Sequence, residues 1–275
     1  METDVELGGV PADRQVPEFT VQRFAARKHR FCLGIPVLNE NGKVLKELAE
    51  LQALGPDVDI IIADGGSSDG STEPMRLASL GVTALLTKTG AGRLSAQLRM
   101  LFSFALDEGY EGVITIDGNG KDGLDGIASI KTKLEDGWDF VQGSRFVPGG
   151  HHENTPLDRS LGVRVLHAPL ISLGARFRYT DTTNGLRGWR RQVLEDPRVD
   201  PFRDVFDTYN LHYYLSVRVP RLGYKVCEVP VSRVYPASGP TPTKISGVRS
   251  RAHVLRLTLD AVLGRYNPRR QSPSS

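Results

Sequence analysis

The feature of this sequence that most constrains its fold is an alternation of short, continuously apolar runs with segments of helical periodicity. The runs lack polar alternation and are rich in β-branched residues, which is typical of strands buried on both faces of a parallel sheet. Val44, Leu48 and Leu51 repeat at helical spacing after the first run, and further helices are predicted over about 93–108 and 124–136. The pattern predicts an α/β protein with right-handed crossovers and an open, mostly parallel, doubly wound sheet. The predicted strands are FCLGIPV (31–37), VDIIIAD (58–64), VTALLT (82–87), GVITID (112–117) and DFVQGSR (139–145).

The pattern becomes less regular after residue 150. A last strand is predicted at YKVCEVPV (224–231), and a basic amphipathic helix at 248–263. Residues 1–29 are polar without a clear period and predict an arm that is disordered or lies on the surface. Two more helices are predicted over about 158–174 and 207–219, with an Asp-Thr-Thr-Asn-Gly turn (181–185) between them.

The composition argues against several classes of protein. Among the 275 residues, 35 are Lys or Arg and 32 are Asp or Glu, a balance that does not favour a nucleic-acid partner. Cys32 and Cys227 lie far apart in the chain, which disfavours a disulfide framework or a cysteine metal cluster. No run approaches about 18 apolar residues and the acidic start lacks the core of a secretory signal, so we expect a cytoplasmic protein.

Polar residues concentrate where the predicted strands end. Because the carboxyl ends of parallel strands meet at one edge of a sheet, the loops that follow them should face one cleft. These loops are Pro-Val-Leu-Asn-Glu (36–40), Asp-Gly-Gly-Ser-Ser-Asp-Gly (64–70), Lys-Thr-Gly-Ala-Gly-Arg (88–93), Asp-Gly-Asn-Gly-Lys-Asp (117–122) and Gly-Ser-Arg-Phe (143–146).

Two of these loops carry carboxylates of the kind that a nucleotide site uses. Asp64 can accept hydrogen bonds from a base or a ribose; the alternative is a solvated turn in which Asp69 caps the next helix. Asp117, Asn119 and Asp122 supply oxygen ligands suited to Mg²⁺ or Mn²⁺, which would offset charge on a departing diphosphate. The alternative there is a polar turn at a helix start.

Other polar residues give weaker signals. The segment Gly-Ala-Gly-Arg-Leu-Ser (90–95) approaches the dinucleotide fingerprint, but it follows the third strand and lacks the third glycine, which disfavours nicotinamide binding. Arg145 and Lys244 could clamp an anion, although lone cations are usually solvated.

Taken in order, the loop motifs resemble those of family 2 glycosyltransferases with the GT-A fold, and most closely the dolichyl-phosphate mannose synthase-like branch. The resemblance covers about residues 31–246. It implies a UDP- or GDP-sugar donor, a divalent Mg²⁺ or Mn²⁺ ion, inversion at the anomeric carbon, and a lipid-phosphate, glycan or small-molecule acceptor. The motifs are Ile-Pro-Val-Leu-Asn-Glu (35–40), Ile-Ile-Ala-Asp-Gly-Gly-Ser-Ser-Asp-Gly-Ser (61–71), Thr-Ile-Asp-Gly-Asn-Gly-Lys-Asp (115–122), Gly-Ser-Arg-Phe (143–146) and Asp-Thr-Thr-Asn-Gly-Leu-Arg (181–187).

The resemblance also implies roles for individual residues. Asp117 matches the first acid of the family's Asp-x-Asp metal motif, and Arg145 would approach the diphosphate. Lys244 would close a loop over the donor, while Asp181 and Arg187 match a late Asp-x-x-x-Gly-x-Arg region. The residues expected to line the donor site are Pro36, Asn39, Glu40, Asp64, Gly66, Ser67, Asp69, Arg93, Asp117, Gly118, Asn119 and Arg187.

The sequence also departs from the family pattern. The second acid of the metal motif is Asn119, a neutral ligand for which Asp122 would substitute, and Ala63 replaces the first acid of an early acidic pair. The hydrophobic tail of the branch is missing, which leaves the acceptor open. Asp207 is the candidate general base for an alcohol acceptor, with helix capping as the alternative, whereas a phosphate acceptor needs no strong base.

These assignments divide one domain into five segments. The segments are a flexible arm (1–29), a nucleotide-sugar-binding half (30–150), an acceptor-side half (151–246), a C-terminal amphipathic helix (247–266) and a disordered tail (267–275). The basic C-terminal helix could rest on an anionic membrane surface at the inner face of the membrane, or dock on its own domain or on a second subunit of a homodimer.

Two other functions compete with the glycosyltransferase. One is a sugar nucleotidyltransferase, for which Asn-Glu-Asn (39–41) is a poor triphosphate loop. The other is a non-catalytic nucleotide-sugar-binding homologue.

Overall fold

Strands and helices alternate through the first half of the chain, as the sequence predicts. The computed structural model describes residues 4–156, 161–235 and 247–268. The strands are β1 (Val5–Leu7), β2 (Phe19–Arg23), β3 (Phe31–Val37), β4 (Asp59–Asp64), β5 (Val82–Lys88), β6 (Gly112–Thr115), β7 (Phe140–Ser144), β8 (His151–Glu153), β9 (Arg187–Arg190), β10 (Val226–Pro230) and β11 (Ser232–Val234). The α-helices are α1 (Lys43–Leu54), α2 (Pro74–Ser79), α3 (Leu94–Asp107), α4 (Asp125–Glu135), α5 (Ala168–Ala175), α6 (Arg191–Leu194), α7 (Asn210–Arg221) and α8 (Gly247–Val262).

One nine-stranded sheet organises these elements in the order β1-β2-β5-β4-β3-β6-β9-β7-β10. Strands β5, β4, β3 and β6 are mutually parallel, so their carboxyl ends lie at one edge. Helix α3 covers one face of the sheet, where its buried side chains join a core that includes Trp189, stacked on Phe140 with ring centroids 5.5 Å apart. The mostly parallel α/β sheet that the sequence predicts is thus confirmed.

Strand β9 is the main feature of the sheet that the sequence did not predict. It lies between β6 and β7 and runs antiparallel to both. Its register places Arg187 opposite Thr115 and Gln142, so the preceding Asp-Thr-Thr-Asn-Gly segment enters the sheet at the edge where β6 ends. This insertion brings a distant part of the chain to the predicted cleft.

The N-terminal region also differs from the prediction. Residues 19–23 form β2, which extends the sheet antiparallel to β5, and Phe19 and Val21 are buried in the core. The prediction of a flexible arm is therefore wrong for these residues, because their apolar side chains alternate along a strand that pairs with β1 and β5.

Other boundaries shift modestly. The helix predicted over about 158–174 is a π-helical segment (Gly162–His167) that continues into α5, and the strand predicted at 224–231 is β10, with β11 following just beyond that range. Across the three described ranges, no helix combines the length and apolarity needed to cross a membrane.

Candidate functional site

The loops after β3 and β4 are joined by hydrogen bonds at the carboxyl edge of the sheet. The backbone N–H of Asn39 donates to Ser67 Oγ (3.0 Å), and Ser68 N–H donates to Asn39 Oδ1 (2.8 Å). Asn41 N–H donates to Asp69 Oδ2 (2.7 Å). Asn39 adopts a left-handed conformation with φ 52°, which asparagine tolerates better than most residues. The two loops therefore form one exposed, polar wall of the cleft.

Asp64 is buried and is already bound by its own loop. Its carboxylate accepts hydrogen bonds from the backbone N–H of Ser67 (2.9 Å), from Ser67 Oγ (2.6 Å) and from Thr72 Oγ1 (3.3 Å). Asp69 accepts from Ser71 N–H and Oγ, and these bonds lower the pKa of its carboxyl. Glu73, rather than Asp69, caps α2. The predicted capping role of Asp69 is wrong, since Asp69 instead fixes the loop.

Asp117 follows β6 and lies against the segment that leads into β9. A Cβ atom at Gly185 would lie 2.3 Å from Asp117 Oδ1, so only glycine leaves room for the carboxylate. Behind the same loop, a Cβ at Gly118 would lie 3.0 Å from Ile35 Cγ2. The Asp117 side chain keeps 31% of its surface exposed. The carboxylate is therefore closely packed from below and open to a ligand.

Asn119 stands beside this carboxylate. Its side-chain amide donates to Asp117 Oδ2 (3.4 Å), and its Oδ1 is buried without a hydrogen-bond partner. The next residue, Gly120, has φ 67° and donates its N–H to Glu47 Oε2 (3.0 Å). Burial raises the pKa of the Glu47 carboxyl to about 8, and its second oxygen has no partner. Glu47 thus ties helix α1 to the turn that presents Asp117 and Asn119.

Asp122 is bound by an arginine. Both of its oxygens accept from Arg233 Nη1, at 2.6 and 2.9 Å, and Arg233 Nη2 lies 3.3 Å from Asp117 Oδ2. The Asp122 side chain has no exposed surface. Burial raises the pKa of Asp122 to about 6 while Arg233 opposes that shift, so the carboxylate is ionised at neutral pH.

The residues that could hold a divalent ion follow from these contacts. Asp117 offers an exposed carboxylate and Asn119 a carbonyl oxygen that lacks a partner, and together with donor phosphates they fit the oxygen coordination of Mg²⁺ or Mn²⁺. The expectation that Asp122 is a metal ligand disagrees with the structure, because its oxygens are buried and bound to Arg233. In the described part of the chain, no three His, Cys, Asp or Glu residues cluster as a metal site.

Two predicted donor-site arginines are buried in the protein instead. Arg145 binds Asp181 through Nε (2.6 Å) and Nη2 (3.1 Å), and these side chains are 2% and 0% exposed. Burial would raise the pKa of Asp181, but the charge of Arg145 outweighs it and holds that pKa below its usual value. Arg187 donates to the carbonyls of Thr182, Asn184 and His212, and burial lowers the pKa of its guanidinium to about 10. The structure leaves neither guanidinium free to meet a diphosphate in this conformation.

Asp207, the candidate base, is exposed and is engaged at the start of α3. Its Oδ1 accepts from the backbone N–H of Arg93 (3.0 Å), whose side chain is exposed. It does not cap α7, whose cap residue, Tyr209, makes no side-chain cap bond. Lys244 lies outside the described residues. Of the remaining predicted residues, Pro36 and Glu40 are half-buried beside the cleft, and Gly66 takes φ 93° in the β4 loop.

Sequence reasoning missed Glu47 and Arg233 and named Gly185 only as part of the motif at 181–187, without its contact with Asp117. Glu47 carries a weak signal, because a charged residue stands between Val44, Leu48 and Leu51 on the buried face of α1. Arg233 has no local signal, since its contact with Asp117 depends on where β11 meets the loop after β6.

Comparisons with known proteins define the class. No protein-family profile matches the chain. The polyprenol monophosphomannose synthase of Mycolicibacterium smegmatis is 26% identical over 239 residues, which are 85% of this chain and 87% of the relative. The undecaprenyl-phosphate mannosyltransferase of Micrococcus luteus is 28% identical over 217 residues, which are 78% of this chain and 86% of the relative.

Solved structures agree at the level of the fold. Glucosyl-3-phosphoglycerate synthase from Mycobacterium tuberculosis, crystallised with Mn²⁺, UDP and phosphoglyceric acid, matches with a TM-score of 0.60 at 15% identity, over 89% of this chain and 80% of that one. Mannosyl-3-phosphoglycerate synthase from Rubrobacter xylanophilus matches with a TM-score of 0.58 at 15% identity, over 89% of this chain and 78% of that one. A divalent ion thus accompanies UDP in a solved structure of this fold.

The sheet, the polar loops at its carboxyl edge and these similarities define a glycosyltransferase with the GT-A fold. Both relatives are polyprenyl-phosphate mannosyltransferases by name, which confirms the predicted resemblance to family 2 enzymes of the dolichyl-phosphate mannose synthase-like branch.

Proposed function

We propose that the chain transfers a hexose from a nucleotide-diphosphate sugar to a lipid phosphate, with inversion at the anomeric carbon. The observation that carries this proposal is the position of Asp117, which Gly185 packs into place at the end of β6, beside the joined loops of β3 and β4. The acceptor class is taken from the relatives, which are named for polyprenol and undecaprenyl phosphate.

The wall formed by the β3 and β4 loops suits the nucleoside. Asn39 and Ser67 are already cross-linked there, and Pro36 and Glu40 lie along the same wall. Because Asp64 is bound by its own loop, we assign it the task of holding that wall rather than contacting the base. A preformed wall reduces the ordering cost of nucleotide binding.

The other end of the cleft suits the diphosphate. A divalent ion held by Asp117 and the Asn119 amide oxygen would stabilise the charge that develops on the leaving nucleoside diphosphate. The protein's part is to fix both oxygens: Gly185 sets the position of Asp117, and Glu47 holds the turn at Gly120 that follows Asn119.

A site without a free general base suits a phosphate acceptor better than an alcohol acceptor. An acceptor phosphate oxygen attacks the anomeric carbon in line, a new C–O bond forms, and the bond to the diphosphate breaks with its electron pair. An ionised phosphate has no proton to lose, so no general base is required. The contact of Asp207 supports this assignment, because its carboxylate already accepts a hydrogen bond from the backbone N–H of Arg93 at the start of α3.

A lipid acceptor would be met at a membrane surface. On the acceptor side, Val165 and Leu173 are 69% and 74% exposed on the π-helical segment and α5, and the exposed Arg164 directly precedes Val165. Helix α8 packs on α5 and α7 and exposes Arg251 and Arg256. An apolar patch bordered by arginines suits an anionic lipid surface, and we propose peripheral binding there. The predicted homodimer stays a prediction.

The donor is tested by thermal unfolding of the wild-type chain with UDP, GDP, CDP and dTDP, each with and without Mn²⁺. A selective rise in Tm identifies the donor nucleotide, because a ligand of the folded state stabilises it by mass action. The Asp117→Ala variant is expected to lose the part of the rise that depends on Mn²⁺. A wild-type Tm unchanged by every nucleotide would refute the proposed activity.

A further inference from the structure

Arg233 places a permanent positive charge where the predicted metal-binding loop gathers its acids. Strand β11 is attached to that loop by backbone hydrogen bonds, from Val234 N–H to Lys121 O and from Gly123 N–H to Ser232 O, both 2.9 Å. The guanidinium lies between Asp117 and Asp122 and is 7% exposed. The register of β11 on the loop therefore fixes the charge in place.

The acids of this loop are matched by cations of the protein itself. Lys121 is buried with its ammonium 5.2 Å from the ring of Tyr235, and the Arg233 guanidinium lies 5.7 Å from the same ring. Burial and the charge of Arg233 lower the pKa of Lys121, as expected for two cations that share a small volume. Two carboxylates thus face two fixed cations, while the second acid of the metal motif is the neutral Asn119.

This balance weakens the attraction of the loop for a divalent ion and reduces its repulsion of an anion. A dication approaching Asp117 Oδ2 meets a guanidinium nitrogen 3.3 Å from that oxygen and is repelled by it. A diphosphate approaching the same carboxylate is repelled less, because Arg233 has already neutralised part of its charge. The Nε–H of Arg233 is also buried without a partner, so the two acids do not use all of its donors.

We propose that Arg233 is a resident counter-cation of the diphosphate subsite: it weakens the binding of a free divalent ion at Asp117 and lowers the repulsion between Asp117 and a nucleoside diphosphate, so that part of the nucleotide affinity does not depend on the ion. The nucleotide half of this inference rests on the proposed function, whereas the metal half does not. Arg233 acts through Asp117 and Asp122, so it is a positioning residue rather than a catalytic one.

The test measures two affinities on each variant: that for Mn²⁺, by the electron paramagnetic resonance signal of the free ion, and that for UDP and GDP in EDTA, by calorimetry. In Arg233→Gln, Mn²⁺ should bind at least about tenfold more tightly, because Asp117 and Asp122 lose their guanidinium. The nucleotide that binds the wild type in EDTA should bind at least about tenfold more weakly, because the bare carboxylates repel it. A purely structural role would weaken both affinities together.

Further variants guard against misfolding and unspecific charge effects. The double variant Asp122→Asn with Arg233→Gln removes the buried pair as a unit, so no buried charge is left unpaired, and Mn²⁺ should again bind more tightly. Arg198→Gln removes a positive charge from a 61% exposed side chain outside the Asp117 loop and should change neither affinity. Asn119→Asp adds the missing acid and should shift both affinities in the same directions as Arg233→Gln.

The outcomes separate the two proposals. Unchanged or weaker Mn²⁺ binding in both the single and the double Arg233 variants overturns the inference. A wild type that binds neither UDP nor GDP under any condition refutes the proposed function, while the Mn²⁺ measurements still decide the role of Arg233. Wild-type nucleotide binding that disappears in EDTA contradicts the metal-independent half of the inference.

Discussion

Two charged clusters near the carboxyl edge of the sheet look alike in sequence and differ in structure. The Asp117 cluster keeps an exposed carboxylate, an Asn119 oxygen without a partner and a raised pKa at Glu47. The cluster of Arg145 and Asp181 is sealed, with both side chains at most 2% exposed and joined by two hydrogen bonds. Open and unsatisfied groups characterise the first cluster, whereas the second is closed and satisfied.

The difference between the two clusters shows that residue type alone does not reveal whether a charged side chain is free to bind a ligand. Unsatisfied buried polar atoms are rare in proteins, and each marks a place where a ligand, water or ion can complete the bonding. A buried pair with every bond made, as between Arg145 and Asp181, instead anchors the segment that leads into β9. We therefore expect changes in the sealed cluster to affect stability and changes in the open cluster to affect function.

The largest expected effect is on folding, from Asp181→Ala. Removing one partner of a buried ion pair leaves Arg145 uncompensated, and such losses cost about 3–5 kcal/mol of unfolding free energy. Urea unfolding measures this cost. The matched control is Glu50→Ala, whose pair with Lys46 is exposed at both side chains, 56% and 83%, and which should cost about 1 kcal/mol or less. Equal losses in the two variants would contradict the comparison.

Asp117→Asn should change turnover strongly and the unfolding free energy only slightly, whereas Asp181→Ala should act mainly on folding. Its exposed carboxylate adds little to folding, so the unfolding free energy should change by no more than about 1 kcal/mol. Turnover with the donor identified by thermal unfolding should fall on the order of 100-fold or more, because the leaving diphosphate loses its metal-binding carboxylate. Asp107→Asn, which changes a 42% exposed carboxylate at the last residue of α3, should retain most activity. A variant at Asp117 with full turnover would exclude it from the site.

Most of the fold was predictable because its central strands are continuous apolar runs. The runs at β3 and β4 are buried on both faces and were located to within a residue. Strand β2 could have been found too, since Phe19 and Val21 alternate with more polar residues. Strand β9 could not, because Arg-Gly-Trp-Arg has no strand pattern and becomes a strand only between β6 and β7.

The site was predictable in position but not in the state of its charges. Asp117 and Asn119 come directly after a strand, and the topology of parallel sheets places such residues in a cleft. That Asp122 is bound by Arg233, 111 residues later in the chain, depends on where β11 meets the loop. No local pattern carries that information, and the same holds for the pair of Arg145 with Asp181.

The buried Glu47 beside the Asp117 cluster should make the unfolding free energy depend on pH. Its pKa of about 8 in the folded chain lies above the ordinary 4.5, so between these values the folded protein holds a proton that the unfolded chain releases. The unfolding free energy therefore falls as the pH rises from about 4.5 to about 8. Glu47→Gln removes this loss, and the wild type should lose on the order of 2–4 kcal/mol relative to the variant between pH 5 and pH 8.5. Urea unfolding in EDTA at both pH values measures it; parallel pH profiles would contradict the raised pKa.

The smallest effect is expected at the acceptor-side surface, where no buried charge is involved. Val165→Asp with Leu173→Asp places two acids in the apolar patch beside Arg164 and should weaken sedimentation with vesicles rich in phosphatidylglycerol by several-fold, through lost apolar burial and charge repulsion. The control is Leu54→Asp with Met75→Asp, which adds the same charge at side chains of similar exposure, 63% and 65%, on α1 and α2. Equal weakening in the two variants would show that net charge alone governs binding, and the patch would lose its assignment. Weakening confined to the first variant would support lipid contact at the π-helical segment and α5.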